Sequence, residues 1–421
     1  MKHTKFGILM AAATFFCCAS SCNKNMFNEE DYKTIIERAS QVDSVDAQHT
    51  WQLGDSLTFH LSIPEGSKAE RVCIFSGNPV DDEYSELVAQ TFVSPGDQVD
   101  LAASIPSLLD MLYAAYIDSD GLYTVTRFSK SSRDVDFSSP LMERRKVRRT
   151  RAPQTYTYLY EEDFPEPGDY DYNDLVLNIA QQRTGQREIT LTVSVAAVGA
   201  TKQLAAAVRL VGYKIDDIES VTTTDGTSFN DGVPSASLYA FDSTDMLLAG
   251  RNNEAVINLF VDAHWAMGYN LKVEYGLFER KKYNVSNTTD EKYQLKSVHT
   301  ISYKVLFKSA ERLNQFCLDT LDPFVVEDYN GSHWEIHLEP YRTYQVFYEY
   351  QIPSISKMLP WALRIPSGDF RHPLEGIHIG IKKQGATFGA YMEADHSFGD
   401  WVEYRNKARD WYLYPTNTAV F

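Results

Sequence analysis

One short stretch of the sequence, YEEDFPEPGDYDYNDLV, is crowded with oxygen-bearing side chains. These are Glu161, Glu162, Asp163, Glu166, Asp169, Asp171, Asn173 and Asp174. Carboxylates at this density repel one another unless something compensates their charge. Asp169, Asp171 and Asn173 alternate as ligands do in the first half of an EF-hand loop. Asp174 replaces the required glycine and Ala180 the bidentate glutamate, so the loop is not an EF-hand, although its oxygens can converge on one hard cation.

We therefore predict that this loop binds calcium, which prefers oxygen ligands. The predicted ligands are Asp169, Asp171, Asn173 and Asp174, with Glu162 or Asp163 from the preceding strand completing the set. A purely structural alternative remains open. In that alternative, Asp169 and Asn173 bond backbone N–H groups in a network of Asx-turns and fix the connection without an ion.

A second candidate site lies in the segment HWEIHLE. The two-residue period of a strand places His333, Glu335 and His337 on one face, where they could bind zinc. The glutamate is misplaced for the helical HExxH motif of metalloproteases. An ordinary half-exposed strand, with Trp334 and Ile336 on its buried face, explains the same pattern and is the favoured interpretation.

No catalytic signature accompanies these residues. The sequence contains no G-x-S-x-G, no P-loop and no G-x-G-x-x-G motif. A glycosidase would need two carboxyl groups facing each other across a sugar-binding cleft, about 5 to 9 Å apart. Clustering on a single loop favours ion binding instead, so we expect the protein not to be an enzyme.

The first residues, MKHTKFGILMAAATFFCCASSC, have the form of a secretion signal, with Lys2 and Lys5 ahead of an apolar run. Ala19-Ser20-Ser21 before Cys22 fits a bacterial lipobox, in which the signal is removed and Cys22 carries lipid. We therefore expect an exported protein, anchored through Cys22 to the outer membrane or cell surface. Ordinary cleavage in the same small-residue stretch, giving a soluble secreted chain, is the alternative.

Charge and cysteine content narrow the range of partners. The formal net charge of −17 disfavours nucleic acid, because binding phosphates requires a basic surface. Besides Cys22, the mature chain has only Cys73 and Cys317. They could form one disulfide in an oxidising compartment or remain two buried thiols, and the chain is not a disulfide scaffold.

Hydrophobic periodicity predicts an all-β protein. After a signal peptide (1–21) and a tether (22–50), residues 51–128 read as short strands of an immunoglobulin-like sandwich. Residues 129–153 lose the periodicity and are rich in basic residues, which predicts a linker. Its basic cluster is either merely solvated, a site for a trypsin-like protease, or an electrostatic contact to an acidic face. The candidate processing residues are Arg145, Arg149 and Arg151.

The remaining residues, 154–421, predict a larger β-sandwich-type domain with few short helices. In REITLTVSVAAVG, for example, Ile189 and Leu191 alternate with Thr190 and Thr192. Near the end, SFGDWVEYRNKARDW is a short helical signal. Its residues Phe398, Trp401, Val402 and Ala408 can share one face.

The segment GDYDYNDLV resembles the signature of the LruC-domain family, exported lipoproteins of Bacteroidota whose activity is not established. VAAVGA, LPWALRIPSGDFRHPLEGIHI and FGDWVEYRNKARDWYLYP are similar to the same family's C-terminal region, so the resemblance extends from about Tyr156 to the end. It maps the family's aspartates onto Asp169, Asp171 and Asp174. Tyr172 replaces the usual phenylalanine, which is a conservative departure.

Together these patterns predict a surface-anchored lipoprotein of binding or structural type with a calcium-stabilised loop and an unknown protein or glycan ligand. Two alternatives remain. A pilus-like subunit would be processed at the basic linker so that a partner's strand could fill the exposed groove. A glycan-binding or carbohydrate-active lipoprotein would instead need a cleft or an exposed tryptophan platform.

Overall fold

A computed structural model describes residues 54–82, 85–106, 109–146, 155–162, 168–235, 238, 240–268, 280–314, 316, 320–329, 331–338, 341, 360–377, 379, 398, 401, 405 and 407–421. All of these residues belong to one unit, Thr50–Phe421. The predicted signal peptide and tether, with Cys22, lie outside the described residues. Within those residues, no helix is long and apolar enough to span a bilayer.

The first eight strands form a sandwich of two sheets. They are β1 (Gly54–Ser62), β2 (Ala69–Phe75), β3 (Leu87–Phe92), β4 (Gln98–Pro106), β5 (Met111–Asp118), β6 (Tyr123–Ser129), β7 (Asp134–Asp136) and β8 (Met142–Arg145). One sheet has the order β4-β1-β7 and the other β3-β2-β5-β6-β8. Alternation in β1 buries Phe59 and Leu61 and exposes Thr58 and His60, as the sequence predicts.

The five-stranded sheet of this sandwich is buried on both faces. Ile74 and Ala114 face the core shared with the three-stranded sheet. Phe75 and Ala115, one residue further along the same strands, belong to the large core of the second sandwich. Cys73 also lies on this second face, with its Sγ 3.8 Å from Gln90 Oε1, whereas Cys317 is outside the described residues. The two sandwiches therefore share buried surface.

The second sandwich contains thirteen strands of the described chain. They are β9 (Thr155–Tyr160), β10 (Leu175–Arg183), β11 (Glu188–Ala197), β12 (Ala205–Lys214), β13 (Ile218–Thr223), β14 (Leu247–Ala249), β15 (Glu254–Phe260), β16 (Lys282–Tyr283), β17 (Tyr293–Gln294), β18 (His299–Phe307), β19 (Leu321–Tyr329), β20 (Ser332–Ile336) and β21 (Ala362–Ile365). Its sheets run β13-β18-β11-β10-β9-β21 and β14-β15-β12-β19-β20, and β16 pairs with β17 separately.

Strict alternation explains how these sheets pack. In β11 every second residue, including Ile189, Leu191 and Val193, is buried, and the apolar face meets the other sheet. The described residues include only two short α-helices, α1 (Ala263–Ala266) and α2 (Ala310–Asn314). The all-β prediction is confirmed.

Part of the segment expected as a basic linker, 129–153, forms strands. β7 pairs in parallel with β1, and β8 pairs with β6 at the edge of the five-stranded sheet. Arg144 forms ion pairs with Asp118 and Asp120 and has a left-handed φ of 43°. Arg145 is exposed in β8, whereas Arg149 and Arg151 lie outside the described residues. Processing at these arginines stays a prediction.

Phe92 of β3 marks where the two sandwiches meet. Its ring packs edge-to-face on Tyr213 of β12, with the ring centroids 5.7 Å apart. The Arg312 guanidinium lies over both rings, 5.7 Å from the centroid of Phe92 and 4.8 Å from that of Tyr213. Gly212 approaches so closely that an added Cβ would lie 1.7 Å from the Phe92 ring. The contact therefore requires glycine at this position.

Candidate acidic-loop site

The acidic loop joins two paired strands. β9 ends at Tyr160 and β10 begins at Leu175, and these two residues are opposite each other in the antiparallel register. The chain therefore leaves the sheet after Tyr160 and re-enters it at Leu175, at one point of the sheet edge. The backbone N–H of Glu161 donates to the carbonyl of Trp361, the residue before β21, so this segment also holds the start of the loop.

The carboxylate of Glu161 organises the loop backbone. Its Oε2 accepts from the Tyr170 N–H at 3.0 Å and its Oε1 from the Tyr172 N–H at 2.5 Å. Both tyrosines have a left-handed φ of 53°, which is unfavourable for a bulky residue. Gly168 packs on the same carboxylate, where an added Cβ would lie 2.3 Å from Oε2. A buried anion thus supports a strained turn, as is common at functional positions.

Asp171 and Asn173 connect the loop to a distant segment. Asp171 Oδ1 accepts from the Asn173 N–H at 3.1 Å, which forms an Asx-turn. Its Oδ2 accepts from the Gly376 N–H at 2.7 Å, and Asn173 Nδ2 donates to the Pro373 carbonyl at 3.1 Å. The side chains of the loop therefore fix the 373–376 segment as well as the hairpin itself.

Glu162 and Asp174 form a second set of backbone contacts. Asp174 Oδ2 accepts from the Glu162 N–H at 2.6 Å. Glu162 in turn accepts from the N–H and hydroxyl of Thr201, both at 3.0 Å, and from the Lys202 N–H at 3.1 Å. These two carboxylates thus tie the hairpin to the segment between β11 and β12.

Three carboxylates converge on one point. Oxygens of Glu161, Asp169 and Asp171 all lie within 4.8 Å of one another, which is close enough to hold a metal ion. Glu161 and Asp171 are buried and Asp169 is exposed, so the point can be reached from solvent. We call these three residues the acidic cluster.

The acidic cluster overlaps the predicted ligand set only in part. Asp169 and Asp171 belong to both, whereas Glu161 was not among the predicted ligands. Glu162, Asn173 and Asp174 make the backbone contacts described above, and Asp163 lies outside the described residues. Sequence reasoning missed Glu161 because it stands outside the alternating pattern. Its place directly after the apolar run TYTYLY was the available signal.

Burial and, after it, mutual repulsion disfavour the charged forms of the cluster. Burial raises the pKa of Glu161 well above its ordinary value, and the charges of Asp171 and Asp169 raise this pKa further. Burial likewise raises the pKa of Asp171, with Asp169 and Glu375 adding to the effect. Without a cation, the folded chain therefore holds these groups at a cost in free energy.

Buried oxygens near the loop with no hydrogen-bond partner among the described residues include one amide and one carboxylate oxygen. They are Asn173 Oδ1 and Glu375 Oε2, and both atoms are buried. The other carboxylate oxygen of Glu375 pairs with the Lys282 ammonium. Buried oxygens without donors are costly, and a bound cation or water would compensate them.

The segment HWEIHLE has a different arrangement. His337 is buried, with its Nδ1 2.7 Å from Asp322 Oδ2 and its Nε2 3.1 Å from Glu335 Oε2. His333 is exposed at the other end of β20. These residues do not form a metal-binding group within the described part of the chain. Carboxylates occupy both nitrogens of His337, which leaves no lone pair for zinc.

A family model described as a domain of unknown function (DUF4842) matches residues 187–412, more than half of the chain. The matched region begins after the acidic loop but includes its partners Thr201, Glu375 and Gly376. A search of the curated proteins finds no match.

Two solved structures show distant likeness. A predicted lipoprotein from Bacteroides ovatus is 15% identical with a TM-score of 0.40, covering 84% of this chain and 99% of that one. The B domain of a biofilm-associated protein is 10% identical with a TM-score of 0.15, covering 86% and 94%. At these values neither likeness supports an argument about fold or function.

Proposed function

We propose the function of this chain, which belongs to the DUF4842 family, a domain of unknown function, from its own residues. It is a lipid-anchored surface protein of binding or structural type. Calcium closes its acidic loop. The observation that carries the calcium proposal is the convergence of Glu161, Asp169 and Asp171 within 4.8 Å. The lipid anchor rests on the signal and lipobox ending at Cys22.

The donor set favours calcium over other metals. All three side chains offer carboxylate oxygen, which suits a hard cation, and no histidine or cysteine joins them in the described residues. Calcium accepts six to eight oxygens in flexible geometry, so solvent can complete the shell on the exposed side of Asp169. Glu375 Oε2 is a further buried oxygen that a cation nearby would stabilise, since the charge of Glu375 acts on Asp171.

The calcium ion would stabilise the structure of the loop, and the ordered loop would in turn bind the partner. The ion would neutralise the repulsion between Glu161 and Asp171 and so stabilise the turn through Tyr170 and Tyr172. That turn holds the 373–376 segment through Gly376. A calcium-loaded loop thus pre-orders the surface on which a protein or glycan partner binds, and we propose no catalytic step.

Calorimetric melts of the mature chain, Asn23–Phe421, test the calcium proposal. Calcium should raise the free energy of unfolding by about 2.7 kcal/mol at a hundred times its dissociation constant, because it binds only the folded chain. The double variant Asp169→Ala with Asp171→Ala should lose this gain. A chelator should return the wild-type chain to the lower transition.

A matched control is Asp216→Ala with Asp245→Ala, which removes two exposed aspartates elsewhere. This variant should keep the full response to calcium. If wild-type protein melts identically with calcium and with chelator, the loop is a hydrogen-bonded connection and the calcium proposal is wrong.

The anchor is tested separately by Cys22→Ala. We expect wild-type protein in the membrane fraction, carrying a metabolically incorporated lipid label, because acylation requires the Cys22 thiol. The variant should carry no label. A labelled variant, or an unlabelled wild-type chain recovered entirely from the medium, would contradict the anchor.

A further inference from the structure

A cluster of late residues packs directly on the acidic loop. We call Phe398, Trp401, Arg405, Ala408, Arg409 and Trp411 the C-terminal strap. The Phe398 ring lies edge-on to Tyr172, with centroids 6.1 Å apart, and is 4.9 Å from Trp411 and 5.8 Å from Trp401. Tyr172, Phe398, Trp401 and Trp411 belong to one buried cluster.

The same strap holds the first sandwich. Trp401 Nε1 donates to Glu86 Oε1 at 2.7 Å. Arg409 Nη1 lies 2.5 and 2.6 Å from the two oxygens of Asp82. The Arg405 guanidinium stacks 4.0 Å from the Trp401 ring centroid. Asp82 and Glu86 lie just before β3, so the strap joins the first sandwich to the loop of the second.

Tyr172 contacts both the acidic cluster and the C-terminal strap. Its backbone N–H donates to Glu161 of the acidic cluster, and its ring supports Phe398 of the strap. Its neighbour Asp171 is a cluster member. A shift of the Tyr172 backbone that opens the cluster therefore also moves the ring on which the strap rests. The aromatic core is close-packed and transmits such a shift.

We infer that calcium binding at the acidic cluster and docking of the first sandwich are energetically linked through the C-terminal strap. This inference rests on the proposed function, because it takes calcium as the ligand of the cluster. Linkage is reciprocal: if calcium strengthens docking, docking strengthens calcium binding by the same factor. Asp82 and Glu86, which contribute no ligand to the cluster, thus act as positioning residues for the ion.

The test is a calcium titration of the double variant Asp82→Ala with Glu86→Ala, followed by calorimetry. We expect the dissociation constant for calcium to rise by roughly 5- to 150-fold, the usual range of coupling between two sites. The matched control, Asp100→Ala with Asp134→Ala, removes two exposed carboxylates of the same sandwich. Its dissociation constant should equal that of the wild-type chain.

A gentler variant guards against misfolding of the double variant. Trp401→Phe keeps an aromatic ring in the cluster but removes the N–H that Glu86 accepts together with part of the indole, so it should weaken calcium binding in the same direction by a smaller factor. Hydrogen exchange gives the reciprocal readout: calcium should slow amide exchange in β3 of the wild-type chain.

The outcomes separate the two proposals. Calcium binding by the wild-type chain, with unchanged affinity in both the double variant and Trp401→Phe, overturns the linkage and leaves the calcium site standing. Exchange in β3 that ignores calcium overturns the linkage in the same way. A wild-type chain that binds no calcium overturns both.

Discussion

The imidazole of His337 lies between two carboxylates inside the second sandwich. Asp322 also receives the Arg209 guanidinium, Nη2 lying 2.8 Å from Oδ2, and Arg209 reaches Glu254 at 3.0 Å. Burial lowers the pKa of His337, but the charges and hydrogen bonds of Asp322 and Glu335 outweigh burial and raise it. The folded protein therefore favours the imidazolium form.

Stability should consequently depend on the charge of His337. The folded pKa lies above the ordinary value of 6.5, so this stabilisation is complete below that value and is lost as pH rises through the folded pKa. His337→Gln should cost about 1 to 3 kcal/mol at neutral pH, since hydrogen bonds to charged groups are lost. It should also remove this alkaline decline from urea unfolding curves.

His333→Gln is the control, because His333 is exposed two strand positions before Glu335. It should lower the urea midpoint at neutral pH by less than His337→Gln does. If the stability of His337→Gln still falls as the pH rises, the group that titrates is another residue.

Single residues also show where sequence reasoning stops. The alternation Asp169, Asp171, Asn173 directed attention to the loop in which Asp169 and Asp171 converge with Glu161, because ligand types can be read from sequence. The role of Glu161 depends on the left-handed backbone of Tyr170 and Tyr172, which no local pattern indicates: tyrosine rarely adopts that conformation.

Among the elements, β12 carries the feature on which contact between the sandwiches depends. Its pairing with β15 is irregular between Arg209 and Lys214. Gly212, at a φ of 78°, lies in this irregular stretch and meets the Phe92 ring. The bulge thus re-aims the strand so that Tyr213 can pack on the first sandwich.

Gly212→Ala should therefore weaken the contact between the sandwiches. We expect a loss of about 1 to 3 kcal/mol from overpacking, in addition to the cost of a side chain at positive φ, measured by thermal unfolding. Gly226→Ala is a matched control, because Gly226 has a φ of 79° and nothing within 4 Å of an added Cβ. If Gly212→Ala and Gly226→Ala lose the same free energy of unfolding, the close approach to Phe92 adds nothing to the cost of the Gly212 substitution.

Long regular elements were predictable and short ones were not. β1 and β11 follow the two-residue alternation that one buried face imposes, so their type and inward residues could be read directly. β7 and β8 have three and four residues with mostly exposed side chains. Such strands carry no hydrophobic period, which is why 129–153 resembled a linker.

At the scale of the whole molecule, composition predicted the class but not the arrangement. A β-rich chain with numerous tyrosines and phenylalanines favours packed sheets. The junction between sandwiches depends on pairs such as Phe92 with Tyr213 and Glu86 with Trp401. These residues are far apart in sequence and belong to no shared motif, so only the folded chain reveals them.

The distance along the chain between the strap and its partner has a consequence for biogenesis. Trp401 follows Glu86 by 315 residues, so loop-closure entropy must be overcome over most of the chain before this contact forms. If the chain is exported from its N-terminus, as proposed, the first sandwich completes its contacts with the strap only after the strap has emerged. The interval before this late closure would then be the period of greatest exposure to proteases and aggregation.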